Sequence, residues 1–264
     1  MKAFSAIVAS FLLGASGSTA QSEPTLTTPQ YDASATYRAV HIDTLDANFW
    51  PRFVETRRLW VQLQRARGTN DGRGAYYEVD HHTLISMRSF ASFDEYHSLQ
   101  ALRARVAERM GPTGRADEAA YDAGDVALRT PHASEVWQRD PSFDFHGVSP
   151  SLTEYSFGYA HVTYESVISA DFDAAWSEID QALKAANYPL TRIAFYSVLG
   201  TGKEISFWLA STREEFDAAG TPYEAVVRVI GEQKAIALFS RVKKSSIDQT
   251  VQEWVARKDL WSPF

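Results

Sequence analysis

One short stretch of this chain is written twice. Residues 91–96 read ASFDEY and residues 210–216 read ASTREEF, and the likeness extends to both sides at nearly constant spacing. Phe49, Phe53, Thr56, Trp60 and Leu63 follow the i, i+4, i+7, i+11, i+14 pattern of one helix face; Phe172, Trp176, Ile179, Leu183 and Ala186 repeat it at an offset of 123. Self-similarity over such a span restricts the fold to two copies of one supersecondary unit. After each helix comes a strand-like run, RGAYYEV from Arg73 and RIAFYSV from Arg192, and then a second, LISMRSFAS and EISFWLAS. Ser92 with Glu95, and Thr212 with Glu215, have the S/T-x-x-E spacing in which hydroxyl and carboxylate satisfy the first free N–H groups of a helix. Each repeated stretch therefore predicts the end of a strand and the capped start of a helix.

The copies also open and close alike, with YRAVHID and YAHVTYE before the first helices and EVWQRD and EWVARKD near the ends. Each copy reads strand, helix, strand, strand, helical region, strand, the ferredoxin-like β-α-β-β-α-β order of an α+β protein. Such a module covers one sheet face with helices and leaves the other bare, so two antiparallel sheets stacked through their bare faces are expected, with modules at 35–150 and 151–264. In element order and internal duplication, residues 35–264 resemble the dimeric α/β-barrel superfamily with two modules fused in tandem. That superfamily includes cofactor-free monooxygenases, NIPSNAP-type proteins, chlorite dismutases and dye-decolourising peroxidases. The resemblance implies a cavity between the two sheets.

The N-terminus reads as a processing segment. Lys2 supplies a positive charge, AFSAIVASFLLGA an apolar run, and Ser18-Thr19-Ala20 a small-x-small cleavage site, so residues 1–20 are expected to direct export to the periplasm or medium. Residues 21–34, polar with two prolines, read as a flexible lead-in. The apolar run is too short to span a bilayer, which takes about 20 residues, so no membrane anchor is expected. With no Cys among 264 residues, lipid attachment and a disulfide framework have no ligand atom to use. A net charge of −7 without a basic cluster argues against nucleic acid as a partner. The expected partner is a small molecule, with a homo-oligomer possible.

Strand alternation selects the residues that would line the expected cavity. In EISFWLA, Ile205, Phe207 and Leu209 make an apolar face suited to packing on helices, which assigns Glu204, Ser206, Trp208 and Ala210 to the barrel side. The same logic places His161 and Glu165 there, and His41 with Asp43 in the first module. Tyr76, Glu78 and Arg88 follow from its second and third strands, and Trp137 and Trp254 from the closing strands. A face mixing aromatics with sparse ionisable groups suits a ligand cavity, with apolar area for affinity and polar groups for orientation. The expected ligand-binding set is thus His41, Tyr76, Glu78, Arg88, Trp137, His161, Glu165, Trp208 and Trp254.

No motif names a reaction. The loop RARGTNDG contains Gly68-Thr69-Asn70-Asp71-Gly72, which looks like the G-x-x-D-G of dye-decolourising peroxidases, whose Asp lies beside haem. A helix cap at Gly68 and a turn at Asn70-Asp71-Gly72 explain the same letters. His81-His82, His97, His132 and His146 lack partners at metal-ligand spacing, so no metal is expected. There is no G-x-S-x-G elbow and no H-E-x-x-H, and LGTGKE at 199–204 reads as a hairpin turn. The sequence thus predicts an exported protein binding a small, partly apolar ligand between two sheets, without a cofactor. The rival reading is a cofactor-free monooxygenase-like or haem-dependent oxidoreductase, and the third a structural or partner-binding envelope protein.

Overall fold

A computed structural model of the chain describes residues 35–45, 47–66, 75–79, 83–97, 116, 119, 123, 130–149 and 152–261. The processing segment, the lead-in, the loop bearing Asp71 and the pair His81-His82 lie outside the described residues.

Eight strands close into one barrel: β1 (Tyr37–Thr44), β2 (Ala75–Val79), β3 (Thr83–Phe90), β4 (Thr130–Arg139), β5 (Tyr159–Val167), β6 (Thr191–Leu199), β7 (Glu204–Ala210) and β8 (Ser246–Ala256). Their spatial order is β1-β3-β2-β8-β5-β7-β6-β4. Within each half the strands therefore lie fourth, first, third, second. The halves meet edge to edge at two antiparallel seams, β2 with β8 and β4 with β6. The expected stacking of separate sheets is thus replaced by closure, which leaves no sheet edge to protect.

Helix α1 (Trp50–Ala66) follows β1, and α2 (Asp171–Ala185) follows β5. The second half continues with α3 (Arg213–Ala219), α4 (Pro222–Ile230) and α5 (Glu232–Ser245). Both repeated stretches do what their spacing predicts. Glu95 N–H donates to Ser92 Oγ at 3.3 Å while Ala91 N–H donates to the Glu95 carboxylate at 2.6 Å. In the second half Glu215 N–H donates to Thr212 Oγ1 at 3.2 Å and Ser211 N–H to the Glu215 carboxylate at 2.8 Å. Helix α4 carries a full capping box of its own between Thr221 and Glu224.

Candidate functional site

The barrel interior is a packed core. Trp137 lies 6.0 Å from Phe195, 6.1 Å from Phe207 and Tyr164, and 6.3 Å from Trp254, ring centre to ring centre. Tyr77 continues the cluster at 5.4 Å from Trp254. Eight strands give an interior that side chains just fill, and here six aromatic rings fill it. The indole donors are satisfied inside, Trp137 Nε1 by Glu135 at 2.7 Å and Trp254 Nε1 by Gln252 at 3.0 Å. One end is plugged by Arg38, fully buried, whose Nε donates to Glu154 at 2.6 Å and Nη1 to the Ala35 carbonyl at 2.6 Å.

This packing corrects the face assignment. Ile205, Phe207 and Leu209 join the interior cluster, whereas Trp208 and Ala210 pack with the helices. Apolar faces turn inward because closure removes them wholly from water, and the mixed faces turn outward, where helices cover them only in part. Of the nine expected ligand-lining residues, Trp137 and Trp254 face inward. His41, Tyr76, Glu78, Arg88, His161, Glu165 and Trp208 alternate with interior residues of their strands and face outward.

Several of these outward residues have structural partners. Arg57 of α1 stacks 4.3 Å from the Tyr76 ring, and Glu78 receives Arg257 at 2.6 Å, which together dock the C-terminal segment. His161 touches Phe216 at 4.0 Å between ring centres and Tyr159 Oη at 3.0 Å, and burial lowers its pKa. His41 and His161 do not correspond. Ser92 and Thr212 anchor the two halves; His41 pairs with Ser86, whose counterpart Ser206 pairs with Thr163.

Glu165 and Trp208 belong to a constellation that the sequence reading did not assemble. On the outer face of β5–β7, beneath α2, Arg192 is 1% exposed with its guanidinium 4.3 Å from the Trp176 ring, 5.3 Å from Trp208 and 5.5 Å from Phe143. Its Nε and Nη2 donate to the Phe143 carbonyl at 3.1 and 3.0 Å, and Nη2 also to Asp180 at 2.9 Å. Arg192 Nη1 and Asp180 Oδ1 are buried without a hydrogen-bond partner. Both residues line a groove of about 430 Å³ between α2 and the 3₁₀ turn Pro141–Phe143, walled by Asp144, Asp173, Ser177 and Lys184. The one local signal for it is that Trp176 and Asp180 stand four apart on α2 and so share a face.

Behind Arg192 lies a void of about 10 Å³, bounded by Phe172, Glu165 and Glu204, large enough for a single water. Glu165 and Glu204 are directly paired across β5 and β7. Like charges so placed repel. Burial raises the Glu165 carboxyl, and burial together with Asp140, Asp173 and Glu165 pushes Glu204 up to about 7. A carboxyl titrating there can give or take a proton at neutral pH. Burial likewise raises Asp180 against the pull of Arg192.

No protein-family model matches the sequence, and no curated protein matches it. Solved structures do match the fold. A candidate monooxygenase from Fusobacterium nucleatum aligns with 85% of this chain and 94% of its own at 10% identity, TM-score 0.50. An anthrone oxidase-like protein aligns with 85% of this chain and 92% of its own at 12% identity, TM-score 0.48. A variant chlorite dismutase from Candidatus Nitrospira defluvii covers 85% and 93% at 14% identity, TM-score 0.46. The fold is thus of the dimeric α/β-barrel type, as the element order implied.

Haem, which the peroxidase resemblance brings with it, does not fit the described layer beneath α2. Trp176, Phe172, Trp208 and Arg192 fill that layer down to a water-sized void, and no histidine lines the groove above it. Among the described residues no three His, Cys, Asp or Glu side chains form a metal-binding group.

Proposed function

We propose that this protein binds a small, planar molecule in the groove under α2, through an edge that pairs a hydrogen-bond donor with an acceptor, as an amide does. The observation that carries this reading is a buried pair of unsatisfied atoms, Arg192 Nη1 and Asp180 Oδ1, on two residues that line the same groove. Leaving either unpaired costs about 1–3 kcal/mol, which a ligand presenting both groups recovers. Trp176 and Phe143 supply flat apolar walls, and Asp144 and Asp173 disfavour anions. The site replaces the cavity expected between the sheets, where six rings already sit. The two halves are read as fused ferredoxin-like modules. Self-association and export are the accompanying readings, checked by size exclusion and by the N-terminal sequence of protein recovered from a secreting host.

Oxygenase chemistry is the second reading, favoured by the fold shared with the Fusobacterium protein and by a carboxyl, Glu204, able to move a proton beside the void. A panel of aromatic amides, carboxylates and amines, screened by thermal shift and tryptophan fluorescence, tests the binding reading. Amides should raise the melting temperature, and Asp180→Ala should weaken them roughly 10- to 100-fold, the worth of a hydrogen bond to a charged group. Trp176→Phe should diminish the fluorescence response, and Trp254→Phe should leave it. Binding untouched by Asp180→Ala and Trp176→Phe would place the ligand elsewhere.

A further inference from the structure

The outer face of the first half carries a chain of three side chains in polar contact. β1 and β4 pair with His41 opposite Ser134, and His41 Nδ1 lies 2.9 Å from Ser134 Oγ. Across the ring, His41 Nε2 lies 3.0 Å from Asp43 Oδ1, two residues along the same strand and so on the same face. Exposure rises along the chain, with the Asp43 side chain at 7%, His41 at 32% and Ser134 open to solvent. A register shift between Asp43 and Thr44 ends the regular ladder beside them, and such irregularities re-aim side chains near sites.

The chemistry follows from what each atom can do. An ionised carboxylate accepts only, so Asp43 holds the imidazole proton on Nε2 and leaves Nδ1 as a lone pair. The proton between Nδ1 and Oγ is then the hydroxyl's own, donated by Ser134 to His41. Nucleophile, base and orienting carboxylate in hydrogen-bond reach are what covalent catalysis requires. The arrangement uses the two ring nitrogens in the opposite sense to the familiar triad, and such sets are recognised by roles and geometry, not by sequence position.

We propose that Ser134 is a nucleophile toward activated carboxylic esters, with His41 as its general base and Asp43 as a positioning residue. Ser134 Oγ bonds to the carbonyl carbon while its proton passes to His41 Nδ1. The bond to the alkoxy oxygen then breaks, and the departing alcohol takes that proton. Water attacks the acyl-serine with its proton passing to Nδ1, and the acid leaves as the serine hydroxyl is restored.

The test uses the full chain and an alkyl fluorophosphonate, which labels activated serines as the Oγ–P bond forms and fluoride leaves. Peptide mass mapping of the wild type should place the adduct on Ser134, and Ser134→Ala should abolish it. His41→Gln should slow labelling by about 10²–10⁴-fold, the usual general-base contribution, and Asp43→Asn should slow it while the melting temperature of each variant is followed. Slow release of p-nitrophenol from p-nitrophenyl acetate should be lost in the same variants. Ser211→Ala, which removes an exposed serine of the other half, should label at the wild-type rate. No adduct on Ser134 in the wild type, or equal labelling in His41→Gln, would overturn the proposal.

Discussion

Replacing Glu204 by Gln removes one charge of the Glu165–Glu204 pair with little change of shape, and its effect should depend on pH in a defined sense. The folded protein holds the Glu204 proton up to about 7, against an ordinary value of 4.5. A carboxyl whose pKa is raised by folding contributes stability that is fully present below the unfolded value and is lost as pH rises through the folded one. Each pKa unit corresponds to about 1.4 kcal/mol, so the full shift from 4.5 to about 7 would amount to ~3 kcal/mol for a buried group. Glu204 is half-buried, and solvent screening reduces the figure to about 1–2 kcal/mol. Glutamine carries no such penalty. Wild type and Glu204→Gln should therefore melt together near pH 4, and the variant should be the more stable at pH 8 by about 2–8 °C, since 1 kcal/mol moves a domain of this size by about 2–4 °C. Differential scanning calorimetry across pH 4–8 reads both limits. Parallel melting curves over that range would show that Glu204 titrates normally and that the pair does not share its repulsion.

Two further perturbations address the frame that positions the sites. Glu154→Gln should cost about 3–5 kcal/mol by urea denaturation, because it leaves the fully buried Arg38 charge uncompensated, whereas the double change Arg38→Met with Glu154→Leu should recover most of it; a loss under 1 kcal/mol in the single variant would refute the buried pair. Residues 21–150 expressed alone should aggregate or dimerise, since β2 and β4 lose their partners at both seams and Trp137 loses its enclosure; a stable monomer by size exclusion would contradict closure.

Much of the fold was legible because its signals are local. The caps at Ser92 and Thr212 and the strand runs each depend on residues within one turn or one strand, and each forms as its spacing requires; of the first helix stripe Phe53 and Trp60 are buried, whereas Phe49 precedes α1 and is exposed. Which face of a strand is enclosed is a property of closure, and closure is made by pairings such as Tyr77 with Ala256 and Val136 with Leu199, far apart in sequence. Alternation separates Ile205, Phe207 and Leu209 from Glu204, Ser206 and Trp208 correctly; it carries no sign for inside and outside. The candidate groove was hidden for the same reason. Arg192 opens a strand, Asp180 and Trp176 sit on a helix, and only the packing of α2 on β6 makes one site of them.

Closure with an aromatic interior also decides where chemistry can reside. Among the described residues the barrel interior is filled and the grooves lie on the outer faces, where the two halves use corresponding positions in different ways. By strand pairing Asp43 faces Leu84 where Glu165 faces Glu204, and His41 faces Ser134 where Thr163 faces Val251. At the matching positions the second half sets Thr163 opposite Val251, and it places its own imidazole two residues earlier, where His161 meets Tyr159 Oη at 3.0 Å and Glu253 at 3.6 Å. The first half instead keeps a buried acid, a half-exposed imidazole and an exposed hydroxyl in polar contact one after another, at the cost of partly desolvating a carboxylate. The second half turns its own acid, Glu165, toward Glu204 and Arg192. The stability of the barrel accounts for what the halves share. What they do not share, Ser134 with His41 on one side and Arg192 with Asp180 on the other, is where function is to be sought.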